Sequence, residues 1–477
     1  MRKGYLTVYL SLSLTLILSF ILTMVEGARM HTVRMEAECI ADIGMNSVLA
    51  EFHRELLEQY DLLFVDMSYG TSRAAIENSA EHLRQYMQKN CTREDTSLFA
   101  PRDWLSLSAD KAVLKEYSLA SDYGGNVMRR QALEYMKDTS VEGMLADITS
   151  RVAEVESLGL DTRDITAERN HVQEQIRSIE LPKEPDENGQ LQEIALNNPA
   201  DPINEYRNSF ILNQVLPEDV TISSAAIYSG YYLSHRKKRS GTGIYPEFQQ
   251  PTGMAEDLLF DCYLFEKCGR YGAEMDKSRL KYQIEYIIAG KDSDMENLEK
   301  VAGHLLLWRE VANVIYLFSD EAKCAQADLL ALALSAVLLV PELLEPVKYS
   351  ILFAWAYVES VQDVKCLLSG GKIPLMKTQE DWETGIGTII GFSGKVPDAD
   401  GAERGLSYED YLRVMLFMED DTTKNLRAMD IMEMDIRLTP GNAYFCMDAC
   451  FDSCVGDISI TSAFGYRFDI QRRYGYY

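Results

Sequence analysis

Between Tyr5 and Val25 the chain runs 21 residues without a charge, immediately after Arg2 and Lys3. Wound as an α-helix, that run is about 32 Å long, close to the roughly 30 Å of a bilayer's hydrocarbon core. Basic residues ahead of it favour a cytoplasmic N-terminus, with everything C-terminal held outside the membrane. A cleavable leader has an apolar core of about 7–15 residues and a small-x-small cleavage site. Val25–Ala28 offers only a weak site and the run is too long, so the length predicts a retained single-pass anchor. Within it, Thr7, Ser11, Thr15, Ser19, Thr23 and Gly27 recur every fourth residue. On a 3.6-residue helix they form a slanted ridge of the kind that packs helix on helix. Small and hydroxylated residues are what helices in lipid use for close approach.

The pattern continues beyond the apolar run. Met30, Val33, Ala37, Ile40, Gly44, Val48, Phe52 and Leu56 follow in steps of three and four, and no proline occurs before Pro101. That spacing predicts one helix from about Tyr5 to Tyr60, apolar in its first half and amphipathic in its second. Leu62–Gly70 then reads as a strand ending in a turn.

A net charge of −27 argues against nucleic acid as a partner, and against lying flat on an anionic membrane. At 477 residues, 47% hydrophobic and 25% charged, the chain has the composition of a globular body of two or three domains. Its nine cysteines are too scattered for a disulfide framework. Those in apolar helical text, such as Cys39, Cys324 and Cys366, read as small core hydrophobes.

Region by region, the expected organisation is a cytoplasmic tip (1–4), a transmembrane helix (5–25) and its amphipathic continuation (26–60). There follow an α/β region with a helical hairpin (61–180), broken at Gly159, and a linker and loop-rich region with strands (181–257). A helical core (258–370) precedes a Gly-rich loop, a helix capped at Ser407 and a C-terminal β-hairpin around Phe464-Gly465 (371–477). Ser106–Asn126 reads as a strand and a turn, and Leu181–Gln190 as the linker. Leu329–Val340 is apolar for 12 residues, too short to span a bilayer, and reads as a buried core helix, as does the run opening at Ser350. The fold class is α+β: a mostly helical body with a small antiparallel sheet near the two chain ends.

No catalytic signature appears. No two of the six histidines are three to five residues apart, and nucleophile-elbow, phosphate-loop and dinucleotide motifs are absent. His304 lies in apolar helical text and reads as a hydrogen-bonded core residue. A calcium loop aligned on Gly401 fails at Val396 and Ser407. On a helix Cys446, Cys450 and Cys454 are spaced too far apart for all three to serve one metal; a pair could, but buried free thiols are expected. The basic stretch Ser234–Gly243 reads as a solvated loop. No catalytic residue, metal, cofactor or small-molecule ligand is predicted; the candidate functional residues are those of the membrane ridge.

Lys3-Gly4, Thr7-Val8 and Glu26-x-x-Arg29 resemble the N-terminus of the TadE and TadG class, the pilin-like proteins of tight-adherence (Flp-type) pilus systems. Pilin precursors cut after Gly usually carry Glu at the fifth mature position; counted from Tyr5 that position is Tyr9, so the resemblance does not extend to processing at Gly4. Over nearly its whole length, in stretches such as Glu38–Asp66, Tyr286–Leu298 and the terminal Arg472–Tyr477, the chain is similar to a clostridial family of membrane-anchored proteins of unknown function. The resemblance implies a structural or assembly role outside the cytoplasmic membrane, with pilin-like or secretion-apparatus proteins as partners. The alternatives are an anchored hydrolase or ligand-binding protein with a site assembled from distant residues, and a secreted protein with a cleaved leader.

Overall fold

A computed structural model of the protein describes residues 2–91, 106–185, 191–217, 220–244, 253–397 and 404–476. The chain forms two compact units, each made of separate stretches: Met1–Lys137, Gly230–Thr252 and Ala428–Tyr477 in the first, Asp138–Ser229 and Gly253–Arg427 in the second.

Helix α1 (Arg2–Leu49) opens the first unit. From Tyr5 to Thr32 its residues are almost all exposed, and from Val33 onward one face enters the core. That face holds Val33, Ala37, Ile40, Gly44 and Val48 of the series read from the sequence, joined by Ala41 and Met45, whereas Met30 of that series is 44% exposed. Each fully buried Val, Ile or Met stabilises the packing by about 1.5–3 kcal/mol. Two glycines set the closeness of approach. A Cβ on Gly44 would meet Met87 Cγ at 2.9 Å, and one on Gly456 would meet Met45 Sδ at 2.6 Å. The helix stops at Leu49, short of the expected Tyr60, because His53 turns to extended backbone and caps a separate helix α2 (Arg54–Tyr60). Its ring Nδ1 accepts from Leu56 N at 3.2 Å and its Nε2 meets Asn442 Oδ1 at 3.1 Å.

After α2 come β1 (Val65–Asp66), α3 (Ile76–Cys91), β2 (Leu107–Leu119) and α4 (Asp122–Met136). The second unit then begins with α5 (Glu142–Leu158), ended by left-handed Gly159 as expected, and α6 (Ile165–Ser178). Instead of an open linker, β3 (Lys183–Pro185) pairs antiparallel with β4 (Leu191–Glu193); residues 186–190 lie outside the described residues. Helices α7 (Asp201–Tyr206), α8 (Ile211–Val215), α9 (Met254–Lys267) and α10 (Gln283–Ala289) lead to the long α11 (Asp294–Ser319), whose first turn is capped by Ser293. Next are α12 (Glu321–Leu338), α13 (Leu344–Leu368), β5 (Lys372–Ile373), α14 (Ile386–Ile390) and β6 (Leu406–Ser407), which pairs with β5. The Gly-rich segment is described only in part, since residues 398–403 are outside the described residues. A capping box at Ser407 and Asp410 starts α15 (Tyr408–Met418), as the sequence predicts. Helix α16 (Asp421–Ile436) follows, and its residues from Ala428 on belong to the first unit.

The chain ends in β7 (Cys450–Ser462) and β8 (Arg467–Gly475), the expected terminal hairpin. Strand β7 is the spine of the sheet. It pairs antiparallel with β2 from Leu107↔Ser462 to Leu119↔Phe451, with β8 from Thr461↔Arg467 to Ser453↔Gly475, and with β1 at Val65↔Phe451. The sheet thus joins strands from both chain ends, with α1 and α3 packed on it, and the fold is α+β.

The second unit is built around α13, in which every residue from Ser350 to Leu368 is buried. Burial on all sides forces its polar residues to find partners inside. Arg309 Nε donates to Asp363 Oδ2 at 2.9 Å, and its Nη1 to the carbonyls of Pro374 and Leu375 at 2.8 and 2.7 Å. Lys377 bridges Asp363 Oδ1 at 2.5 Å and Glu359, while Thr384 N donates to Glu359 Oε2 at 2.9 Å. Two cations thus offset two carboxylates.

Helix α12 corrects the expectation of a buried core helix. Only Ala327, Ala331, Ser335 and Leu338 are buried, while Leu329, Leu332 and Val337 are exposed. Small residues let it lie close against α13, and that close approach uses the face a leucine-rich run would be expected to fill. Cys39 is likewise exposed and Cys324 half-buried, whereas Cys366 is in the core.

Candidate functional site

Every ridge residue from Ser11 to Thr23 lies on the exposed half of α1. Ser11 Oγ donates to Val8 O at 2.9 Å, Thr15 Oγ1 to Ser11 O at 2.8 Å and Thr23 Oγ1 to Ser19 O at 2.8 Å. Hydroxyls bonded back into their own helix need no outside donor or acceptor and suit an apolar surrounding. Thr15, Ser19 and Thr23 line a shallow groove walled by Leu12, Leu16 and Phe20. A Cβ on Gly27 would meet nothing within 4 Å. By length and composition α1 is the one helix among the described residues able to cross a membrane.

The second unit holds a cleft of about 940 Å³. Helix α11 presents Glu296, Glu299, Lys300, Gly303, His304 and Leu307 to it, which are positions 0, 3, 4, 7, 8 and 11 of one helical face. Opposite them stands Asp161, in the turn after α5. Its Oδ1 meets His304 Nε2 at 2.6 Å and accepts from Trp308 Nε1 at 2.5 Å, and the imidazole and indole rings meet edge to face at 5.1 Å. His304 is therefore hydrogen-bonded, as expected, but stands 36% exposed at a cleft instead of in the core. Glu419 sits across the opening, 3.7 Å from Arg427 Nη1, and burial pushes its carboxyl above the usual range. Burial, and then the neighbouring Glu296, do the same for Glu299. A carboxylate that fixes an imidazole, beside an acid of raised pKa, is the orienter, base and acid set of proton-transfer chemistry. The described lining holds no serine, threonine or cysteine, so the nucleophiles it offers are an activated water, a carboxylate such as Glu299 or a lysine amine. Asp161 and His304 are 143 residues apart, a pairing no sequence window reveals.

The basic stretch departs from the solvated loop expected of it. Lys237 and Lys238 are exposed, but Arg236 is drawn inward between Glu433 and Asp448, with nitrogen–oxygen distances of 2.6 Å to each. Ser234 N donates to Asp430 Oδ1 at 3.0 Å, and Gly241 N to Asp122 Oδ1 at 3.0 Å. Glu433, Cys446 and Asp448 are the one trio among the described residues close enough to share a metal ion. Arg236 already bridges the two carboxylates, however, and Arg437 Nη2 approaches Glu433 Oε2 at 3.0 Å and Cys446 Sγ at 3.2 Å. Burial also raises the Cys446 thiol, which opposes the thiolate a metal needs. The residues fit a guanidinium-locked core better than a metal centre. Cys450 and Cys454 are buried free thiols on β7, the latter pushed up to about 12 by burial.

These features define an α+β protein with one apolar N-terminal helix and an open cleft in its helical unit. The chain belongs to a family described as "Family of unknown function (DUF5702)", which matches residues 189–462, more than half its length. The match takes in His304, Trp308 and Glu419 but neither Asp161 nor α1. No curated protein and no solved structure matches it.

Proposed function

We propose that the protein is a membrane-anchored structural or assembly subunit of a pilin-like apparatus of the tight-adherence type, its body outside the cytoplasmic membrane. One observation carries this reading. The apolar run of α1 is uncovered by the fold, yet the same unbroken helix is locked at Val33–Val48 into the first unit's core. An apolar cylinder so fixed requires lipid or other apolar helices around it. Arg2 and Lys3 orient the N-terminus to the cytoplasm, and the ridge from Thr7 to Gly27 is the surface that meets neighbouring pilin-like helices. The test is an in-membrane association assay of the α1 segment. Replacing Ser11, Thr15 and Ser19 with leucine is expected to lower association about fivefold or more, as the loss of roughly 1 kcal/mol of interhelical contact implies. Unchanged association overturns the packing role.

The cleft favours a second reading, an anchored hydrolase or ligand-binding protein. Here Asp161 fixes His304 as the base and Glu419 supplies the acid. Hydrolysis of model ester, glycoside and peptide substrates by the full chain is the measurement. Turnover that falls about 100-fold or more in both Asp161→Asn and His304→Ala supports it, and turnover indifferent to both excludes it.

A further inference from the structure

Helix α12 buries Ala327, Ala331, Ser335 and Leu338 and leaves an apolar face outward. Leu329, Leu332, Val337 and Leu339 are 68%, 53%, 81% and 86% exposed, and Ala322, Ala325, Ala333 and Ala336 are exposed beside them. A contiguous apolar surface of this kind on a folded body marks a contact site. Leu339 adds an independent sign. It ends the helix at φ +57°, a left-handed conformation usually given to glycine or asparagine. A β-carbon there is strained, and a side chain so exposed gains little packing in this fold to offset it.

The spacing selects the occupant. Ala322, Ala325, Leu329, Leu332, Ala336 and Leu339 follow in steps of 3, 4, 3, 4 and 3, the narrow 3.5-residue seam by which one helix meets another. Lipid asks for no such register, and a net charge of −27 opposes an anionic headgroup surface. The seam is also complementary to itself. Reversed about a two-fold axis between residues 330 and 331, Leu329 lies opposite Leu332 of the partner copy and Ala325 opposite Ala336 of the partner copy. At each end Ala322 lies opposite Leu339 of the partner copy, so small meets large. Antiparallel helices place opposite ends of their dipoles side by side. The charge beside the seam's centre, Asp328, is already paired with Lys348 at 2.8 Å and falls opposite an alanine.

We infer that α12 is a homotypic docking face, along which two copies of this chain pack antiparallel from Ala322 to Leu339. At about 27 Å the seam is short, and it covers less than the roughly 800 Å² per partner of a stable dimer. The association is therefore weak and reversible. It does not depend on the membrane reading, although copies sharing one membrane meet at higher effective concentration.

Disulfide trapping of the full chain in detergent tests it. Ala325→Cys and Ala336→Cys are prepared with tags of different size, mixed and mildly oxidised. The expected result is a mixed cross-linked dimer at least tenfold above either variant alone and above the unaltered chain, whose Cys324 sets the background. Adding Leu329→Glu to both is expected to abolish it, with Leu329→Gln as the milder substitute should the glutamate misfold. Cross-linking of each variant chiefly with itself overturns the antiparallel arrangement. Equal yields in all samples, or yields indifferent to position 329, overturn homotypic docking. Binding to phosphatidylcholine vesicles that Leu332→Glu abolishes, without any mixed dimer, assigns the face to lipid instead.

Discussion

Arg309→Met is expected to lower the stability of the second unit by about 3–5 kcal/mol, the cost of breaking a buried ion pair from one side. Lys377 stays beside Asp363 Oδ1, but Oδ2 loses its guanidinium and two buried carbonyls lose their donor. Arg309 is fully buried and donates to Asp363 Oδ2, which also accepts from Asn313 Nδ2 at 3.0 Å, and to the carbonyls of Pro374 and Leu375. Methionine fills similar volume but donates nothing. Denaturant unfolding followed by tryptophan fluorescence reads the change directly, because Trp308, Trp355 and Trp382 all belong to the second unit. Adding Asp363→Leu to Arg309→Met is expected to restore part of the loss, since removing both charges costs less than stranding one. Lys377 keeps Glu359 as its partner in that double variant. A loss below about 1 kcal/mol in the single variant would mean that Lys377 and Asn313 suffice for Asp363, and that Arg309 does not hold α11 to α13.

Leu14→Arg combined with Leu18→Arg is expected to release the chain from membranes. Each arginine near the centre of a span costs about 2.5–3.5 kcal/mol on insertion scales, so the pair shifts the balance by roughly 10⁴-fold. Both leucines are exposed on α1, so the folded body loses no contact by the change. Carbonate extraction of membranes from expressing cells measures it: the unaltered chain in the pellet, the double variant in the supernatant. Sequencing the N-terminus of the pelleted chain separates anchor from leader. A mature start at Ala28, with the body free in the medium, would overturn the anchor and with it the pilin-like reading.

Where local pattern and tertiary demand agreed, the sequence was legible. The apolar run of α1, its amphipathic sequel, the capped starts at Ser293 and Ser407, the Gly159 stop and the terminal hairpin all follow from spacing or cap chemistry. The break at residues 50–53 did not show, because no glycine or proline marks it and the signal is a histidine cap completed by Asn442. Helix α12 misled for a different reason. A run whose one polar residue, Ser335, itself turns inward has no periodicity to show which side faces in, and alanines won the close contact with α13. Arg236 read as solvated because its acidic partners lie about 200 residues away. The cleft was unreadable on the same grounds: His304 declared itself only as a histidine on an apolar helix, and its meaning depends on Asp161.

The sheet of the first unit joins residues made at opposite ends of synthesis. Val65 finds its neighbour only at Phe451, and β2 has no other strand to lie against until β7 appears. At about 5–20 residues per second, a ribosome needs roughly 20–80 s to cover that interval. During that time the edges of β2 stand unpaired, as a ready template for mispairing. A product truncated before its last thirty or so residues would therefore keep β2 without its partner strand and leave a sticky fragment in place of a shorter working protein.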